Sequence, residues 1–229
     1  MGQFLMNVHE GHRERLKKHF MEHGLQGFDD HTVLELLLFY STPRKDTNPL
    51  AHMLLQSFGS LEAVFEAPAE ELSKISGIGE SAVTLLKLIP QVSRRYIIDK
   101  NRNHDVLDTT EKVGAYLVPR YMFERDEVVF VICLDAKLKV ICCRELFRGV
   151  VNAAEISIRK IAELALAKNA TSVILSHNHT SGIALPSRED EITTKQIKFA
   201  LETMGISLTD HIIVAGDDFI SMVDSGMLK

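Results

Sequence analysis

Two histidines, a serine and an aspartate stand close together as His177, His179, Ser187 and Asp190, in the order H-x-H, seven residues, S-x-x-D. The apolar run Ala170–Leu175 precedes them and reads as a buried strand. After them, Glu191–Met204 has helical spacing, with Ile192, Ile197, Ala200, Leu201 and Met204 apolar. In a strand, residues i and i+2 point the same way, so His177 and His179 can project into one cleft and share one ion. Ser187 and Asp190 fall in the first turn of the helix, and Asp190 adds a hard oxygen ligand. Two histidines and a carboxylate, with the fourth position left to water, are the ligand set of a catalytic zinc site.

A plainer reading stands beside this one. S-x-x-D is also a helix N-cap pattern, in which Ser187 binds a backbone N–H and Asp190 sits favourably in the helix dipole. The two roles are compatible. A glycine-containing loop, with Gly182 between the histidines and the cap, lets the chain fold back so that both ends meet.

These residues need elements to hold them. Thr109–Tyr121 reads as a helix with Thr110 as its cap, Glu127–Leu134 as a strand, Asp135-Ala136-Lys137 as a turn and Leu138–Glu145 as the partner strand. Ala153–Lys168 is amphipathic, Asp210–Ala215 reads as a strand, and Phe219–Val223 could close the sheet. His211 lies in an apolar strand and reads as structural, with a supporting role behind the metal ligands as the minor alternative. The fold expected for residues 109–229 is therefore mixed α/β.

Residues 12–98 read as all helix. Asp30–Tyr40 is dense in leucine, with Asp29 or Asp30 as cap, and Pro49 opens a second helix that ends at Gly59. Leu61–Phe65 and Ala69–Ile75 are shorter helices. Gly77-Ile78-Gly79 then separates two helical runs. Gly77 and Gly79 can take positive φ and Ile78 can anchor the turn, leaving N–H groups at the second helix start to meet a DNA phosphate. The alternative is an αα-turn used only for packing. Residues 1–100 carry 11 Lys and Arg against 13 Asp and Glu, so electrostatic help for DNA is poor. The polar stretch 99–108 reads as a linker between a domain at 1–98 and one at 109–229.

The 229 residues suffice for one large or two small domains, and a hydrophobic content of 45% with 25% charged residues is ordinary for a soluble globular protein. The net charge of −5 argues against a strongly electrostatic nucleic-acid binder. Met1–Arg15 has no apolar core of a signal peptide, and no apolar run approaches the roughly 18 residues of a membrane helix. The three cysteines, Cys133, Cys142 and Cys143, form no C-x-x-C pair and lie in strand-like runs. A reduced, cytoplasmic protein without membrane contact is the expectation.

The H-x-H-x7-S-x-x-D pattern resembles the JAMM (MPN+) metal site. Its surroundings resemble the bacterial RadC family, also called UPF0758, through His-Asn-His-x-Ser-Gly, Pro-Ser-Arg-Glu-Asp, Glu-Leu-Phe-x-Gly, Asp-His-Ile-Ile-Val and the N-terminal His-Arg-Glu-Arg-Leu followed by Gly-Ile-Gly. The likeness runs over nearly the whole chain. One departure is Thr180, where the family usually has proline; it removes no ligand. The resemblance implies an N-terminal helix-hairpin-helix domain followed by a mixed α/β JAMM/MPN domain, similar to cytidine deaminases in fold. It implies one Zn²⁺ per chain on His177, His179 and Asp190, plus water. It also implies a glutamate as general base, for which Glu127 has the matching context and Glu145 and Glu155 are weaker candidates.

Zinc lowers the pKa of its bound water to about 7. Glu127 would take the proton and pass it to a leaving amine. Ser187 would donate to the oxyanion. Asn178 alternates with the ligands and should point away from the ion, holding the loop by hydrogen bonds. The function expected is a zinc metallohydrolase cutting amide or isopeptide bonds in a protein or peptide substrate. Two other readings remain: a DNA-associated repair-type protein whose metal domain is a nuclease or a binding module, and a catalytically silent scaffold. A nuclease is disfavoured by the single set of ligands, since two-metal phosphodiesterases need paired carboxylates.

Overall fold

The computed structural model describes residues 2–43, 45–100, 106–149 and 158–228, with side chains from residue 11 onward. The chain separates into two compact units, Met1–Ser93 and Arg94–Lys229.

The first unit is helical. It comprises α1 (Gly2–His23), α2 (Asp30–Ser41), α3 (Asn48–Phe58), α4 (Leu61–Glu66), α5 (Ala69–Ser73) and the start of α6 (Glu80–Lys100). Asp29 is the N-cap of α2, accepting from Thr32 N–H, and Gly59 ends α3 with φ +92°. Leu34, Leu38, Leu50, Leu54, Leu72 and Leu86 form the core with Ile78 and Ala82. Glu35 is buried against this core because it is satisfied: His12 Nε2 lies 3.0 Å away and Asn48 Nδ2 donates to it at 2.9 Å. In the glycine turn only Gly77 takes positive φ, at +90°, while Gly79 does not. Ile78 is buried as the anchor, and its N–H is spent on Ile75 O at 3.1 Å.

The second unit contains α7 (Thr110–Tyr121), β1 (Val128–Leu134), β2 (Val140–Arg148), α8 (Ile158–Ala167), β3 (Ser172–Asn178), α9 (Arg188–Glu202), β4 (Ser207–Ala215) and β5 (Asp218–Ser221). The sheet order is β2-β1-β3-β4-β5, with β3 and β4 parallel and the other neighbours antiparallel. Both faces are covered. Val129, Val131, Val173, Leu175 and Ile213 face Ile161, Ala165, Ile197 and Leu201 of α8 and α9. The alternate residues Val128, Ile132, Ile174, Ile212 and Val214 face Val113, Tyr116, Leu117 and Tyr121 of α7. This explains why β1 and β3 read as continuous apolar runs rather than alternating ones.

Several boundaries differ from the sequence expectation for physical reasons. The cap of α7 is Thr109, whose hydroxyl accepts Lys112 N–H at 3.3 Å, rather than Thr110 one residue on. β2 reaches Arg148 rather than Glu145, because its far end pairs with Val128 and Val129 across a register shift. α9 begins at Arg188 under Ser187, three residues before the apolar periodicity starts. Asp99 and Lys100 complete α6, and Leu107 is buried in the core of the second unit, leaving residues 101–105 of the stretch read as linker outside the described residues. Residues 153–157 of the helix expected over Ala153–Lys168, Glu155 among them, also lie outside. Cys133, Cys142 and Cys143 are free thiols. No described helix is long and apolar enough to cross a membrane.

Candidate metal centre

β3 lies between β1 and β4, fully buried along its length. Its period of two sends Val173, Leu175 and His177 to the face covered by α8 and α9. His177 is 1% exposed and His179, one residue past the strand, is half-buried. The loop from Thr180 to Pro186 turns through Gly182 at φ +82° and delivers the chain to the N-terminus of α9. Thr180, at the position where the resemblance leads one to expect proline, is solvent-exposed. His179 is held at both ends: its backbone N–H donates to Val214 O at 2.8 Å, and its ring Nδ1 lies 3.2 Å from Ile183 O. A carbonyl only accepts, so Nδ1 carries the proton and the Nε2 lone pair turns inward.

At the start of α9 the capping box is complete. Asp190 N–H donates to Ser187 Oγ at 3.1 Å, and Ser187 N–H donates to Asp190 Oδ2 at 2.8 Å. The Ser187 hydroxyl also donates to Oδ2, at 2.6 Å. With Oδ2 occupied twice, Oδ1 is left facing His177 Nε2 at 3.5 Å. The cap thus aims the carboxylate, and the two readings of S-x-x-D are one arrangement.

His177 Nε2 and His179 Nε2 are 3.0 Å apart, and His179 Nε2 is 3.6 Å from Asp190 Oδ2. Donors bound at roughly 2.1 Å around a tetrahedral ion stand roughly 3.4 Å from one another. The two imidazoles stand 3.0 Å apart, and each lies 3.5–3.6 Å from a different oxygen of Asp190. One donor atom from each residue can be chosen with all three within 4.8 Å of one another, near that spacing though not yet closed to it. The His177, His179 and Asp190 cluster could therefore hold a metal ion. Burial opposes ionisation of Asp190, yet the two imidazoles facing it hold its carboxyl well below the usual carboxylate range. The same carboxylate raises the pKa of His179, with a further contribution from the charge of Glu127.

Glu127 stands immediately before β1, and its backbone O accepts Gly149 N–H at 2.9 Å. Its carboxylate lies within electrostatic reach of His179. Glu145 is differently placed, its carboxylate taken by Arg148 at 2.8 and 3.0 Å. Asn178 points away from the histidine cleft as its alternation requires, but it does not hold the histidine loop. Its Oδ1 accepts Val128 N–H at 2.7 Å and its Nδ2 donates to Asp126 O at 3.0 Å. It grips the backbone on both sides of Glu127, so one residue between the two histidines anchors the main chain that carries Glu127.

His211 has a larger part than its apolar strand suggested. Its Nε2 lies 2.8 Å from His177 Nδ1, and its Nδ1 lies 2.6 Å from Thr194 Oγ1. Burial, then the neighbouring His177, pushes its pKa well below the ordinary histidine value. Its only sequence signal was the phrase Asp210-His211-Ile212-Ile213-Val214. Asp210 accepts from His211 N–H, Ser221 Oγ and Val223 N–H, which ties β4 to β5 behind the ring.

The family model described as RadC-like JAB domain matches residues 107–227. The chain belongs to the RadC (UPF0758) family. A UPF0758 protein of Nitrosococcus oceani is 37% identical over 96% of this chain and 97% of its own length. Others from Fusobacterium nucleatum and Ruegeria pomeroyi are each 35% identical, over 96% and 95% of this chain. The RadC family match covers the whole sheet and every residue of the histidine–aspartate cluster. The Gly77-Ile78-Gly79 turn lies outside the JAB domain and is reached only by the full-length relatives.

Proposed function

We propose that this RadC-family chain is a zinc-dependent hydrolase of amide or isopeptide bonds in a protein or peptide substrate. The observation that carries the reading is the convergence of His177 Nε2, His179 Nε2 and one oxygen of the Asp190 carboxylate within 4.8 Å of one another, with His179 on the solvent side. A zinc ion held there would supply a Lewis acid and acidify a water molecule. Glu127, bracketed by Asn178, takes the proton of the attacking water and returns it to the leaving amine. Ser187 donates its hydroxyl to the oxyanion. Turning that hydroxyl away from Asp190 leaves Oδ2 still held by Ser187 N–H, so the ligand keeps its aim. Three free thiols fit a reducing, cytoplasmic setting.

A DNA-associated role for the first unit is a separate proposal, supported by Gly77 at φ +90° and the buried Ile78 anchor, which give the turn its hairpin shape. Glu80 in the first turn of α6 competes with a phosphate for the N–H groups there.

The test is elemental mass spectrometry of the purified chain beside His177→Ala and Glu127→Gln, followed by peptide and isopeptide cleavage assays. About one zinc per chain, lost in His177→Ala and kept in Glu127→Gln with turnover gone, is the expected result. Turnover retained by Glu127→Gln removes it as the base. Iron in place of zinc would overturn the choice of metal but not hydrolysis, since iron also serves as a Lewis acid; a metal-loaded chain that cleaves neither peptide nor isopeptide would overturn the hydrolase reading.

A further inference from the structure

Behind the cleft runs a line of buried groups that no hydrolytic step uses. His177 Nδ1 meets His211 Nε2 at 2.8 Å, His211 Nδ1 meets Thr194 Oγ1 at 2.6 Å, and Thr194 Oγ1 donates to the backbone O of Asp190 at 2.6 Å. His177, His211 and Thr194 are 0–1% exposed, so water does not substitute for any link. We propose that His211 and Thr194 are positioning residues, a one-way hydrogen-bond relay anchored on the Asp190 carbonyl that fixes His177 as the Nδ1–H tautomer with its Nε2 lone pair directed at the metal site.

The direction follows from counting protons. The Asp190 carbonyl is acceptor only, so the Thr194 hydroxyl proton goes to it. The other neighbour of that hydroxyl, Met222 Sδ at 3.7 Å, is also an acceptor and cannot reverse the order. Thr194 Oγ1 must then accept, and its donor is His211 Nδ1–H. A neutral imidazole with Nδ1 protonated has only a lone pair on Nε2. His211 Nε2 therefore accepts from His177 Nδ1–H, and His177 Nε2 is left unprotonated toward His179 and Asp190. Reversing one link alone would oppose two acceptors within the line, and reversing the whole line would set Thr194 Oγ1 against the Asp190 carbonyl at 2.6 Å with no proton between them. The direction kept leaves the two Nε2 lone pairs of His177 and His179 3.0 Å apart, a contact that an ion between them would relieve.

The relay begins and ends on the two residues that flank the cleft. It leaves the side chain of His177 and closes on the main chain of Asp190, so β3, β4 and α9 are locked to one another at the point where their donors converge. Partners of this kind orient a ligating histidine, and their loss weakens metal binding by roughly 10–100-fold. His179 needs no relay, because Ile183 O performs the same service directly at 3.2 Å.

This inference rests on the metal reading of the site but not on hydrolysis, and its first test needs neither metal nor substrate. Nitrogen-15 NMR of the imidazoles in the metal-free wild-type chain reads the tautomers directly. His177 and His211 both protonated at Nδ1 is the expected result; His177 protonated at Nε2 would overturn the relay whatever the variants do. Thr194→Val, which removes the hydroxyl at nearly constant volume, should mix the His177 tautomers and weaken zinc binding by about 10-fold or more, and Thr194→Ser should restore both. Thr194→Val with unchanged tautomer and affinity also overturns it. A chain that shows the tautomers and binds zinc but cleaves no peptide would leave the relay standing and sink the proposed hydrolysis.

Discussion

Ser187 has one hydroxyl proton and two demands on it. The hydroxyl caps α9 and steadies Asp190, and in the proposed reaction it also serves the oxyanion. Ser187→Ala separates these. Loss of the cap should lower the unfolding free energy by about 1 kcal/mol in a urea melt, while zinc content stays near one per chain because Ser187 N–H still holds Asp190 Oδ2. A fall in turnover far beyond that small destabilisation would assign the hydroxyl to the chemistry; unchanged turnover would confine it to the cap. Glu124 offers a second residue-scale test. Burial opposes its charge, but hydrogen bonds from Arg148 and Arg94 hold its carboxyl below the ordinary glutamate value. A depressed folded pKa means that the stabilisation is fully present above the unfolded value of about 4.3 and is lost as pH falls through the folded value. Glu124→Gln should therefore be less stable than wild type by about 1 kcal/mol at pH 7. The gap should stay constant down to about pH 5 and narrow toward pH 3, as thermal melts across that range would register.

At the scale of elements, the glycine turn between α5 and α6 shows two similar residues under different constraints. Gly77 sits at φ +90°, and a Cβ there would meet Leu50 Cδ2 at 2.7 Å; Gly79 has ordinary φ and open space. Gly77→Ala should cost about 1–3 kcal/mol through backbone strain and the leucine contact, whereas Gly79→Ala should stay within about 1 kcal/mol of wild type. Equal melting temperatures for the two variants would contradict this assignment. The same contrast explains what a linear reading can reach. Both glycines look alike in Gly77-Ile78-Gly79, because the discriminating neighbour, Leu50, comes from another helix. His177, His179 and Asp190 were legible because their constraint is local: a period of two in a strand and a cap three residues from its partner. β1 was legible to within one residue from its apolar run, and β3 only as far as Leu175, because Ser176, His177 and Asn178 extend the strand without being apolar. For His211 a role behind the ligands was only the minor reading, since its partners come from β3 and α9 and meet it only when β4 lies parallel to β3. Asn178 was half legible: alternation gave its direction, but the strand it grips lies across the sheet. The extension of β2 to Arg148 was hidden because its exposed edge mixes polar and apolar residues without a clean period.

For the whole molecule, the two compact units each enclose their own core. Leucines of the helical unit cluster around Leu34 and Leu54, and the sheet of the second unit is covered on both faces by its own helices. A fragment beginning at Arg94 should fold cooperatively and match the full chain in metal content, as circular dichroism melts and metal analysis would show. A fragment that remains unfolded would refute independent domains. The three donors of the second unit rest on backbone of unequal stiffness. His177 belongs to the central strand, bonded on both sides, and Asp190 is clamped by its capping box. His179 lies on a loop whose Thr180, Ser181, Gly182 and Ile183 are exposed. An ion held by all three would leave in a fixed order, the histidine of the loop letting go while the strand and helix still grip. Its residence time would then be set by the opening of that short loop, far faster than global unfolding. A chelator should strip the ion and leave the sheet intact, so metal occupancy can follow supply without the protein ever being remade.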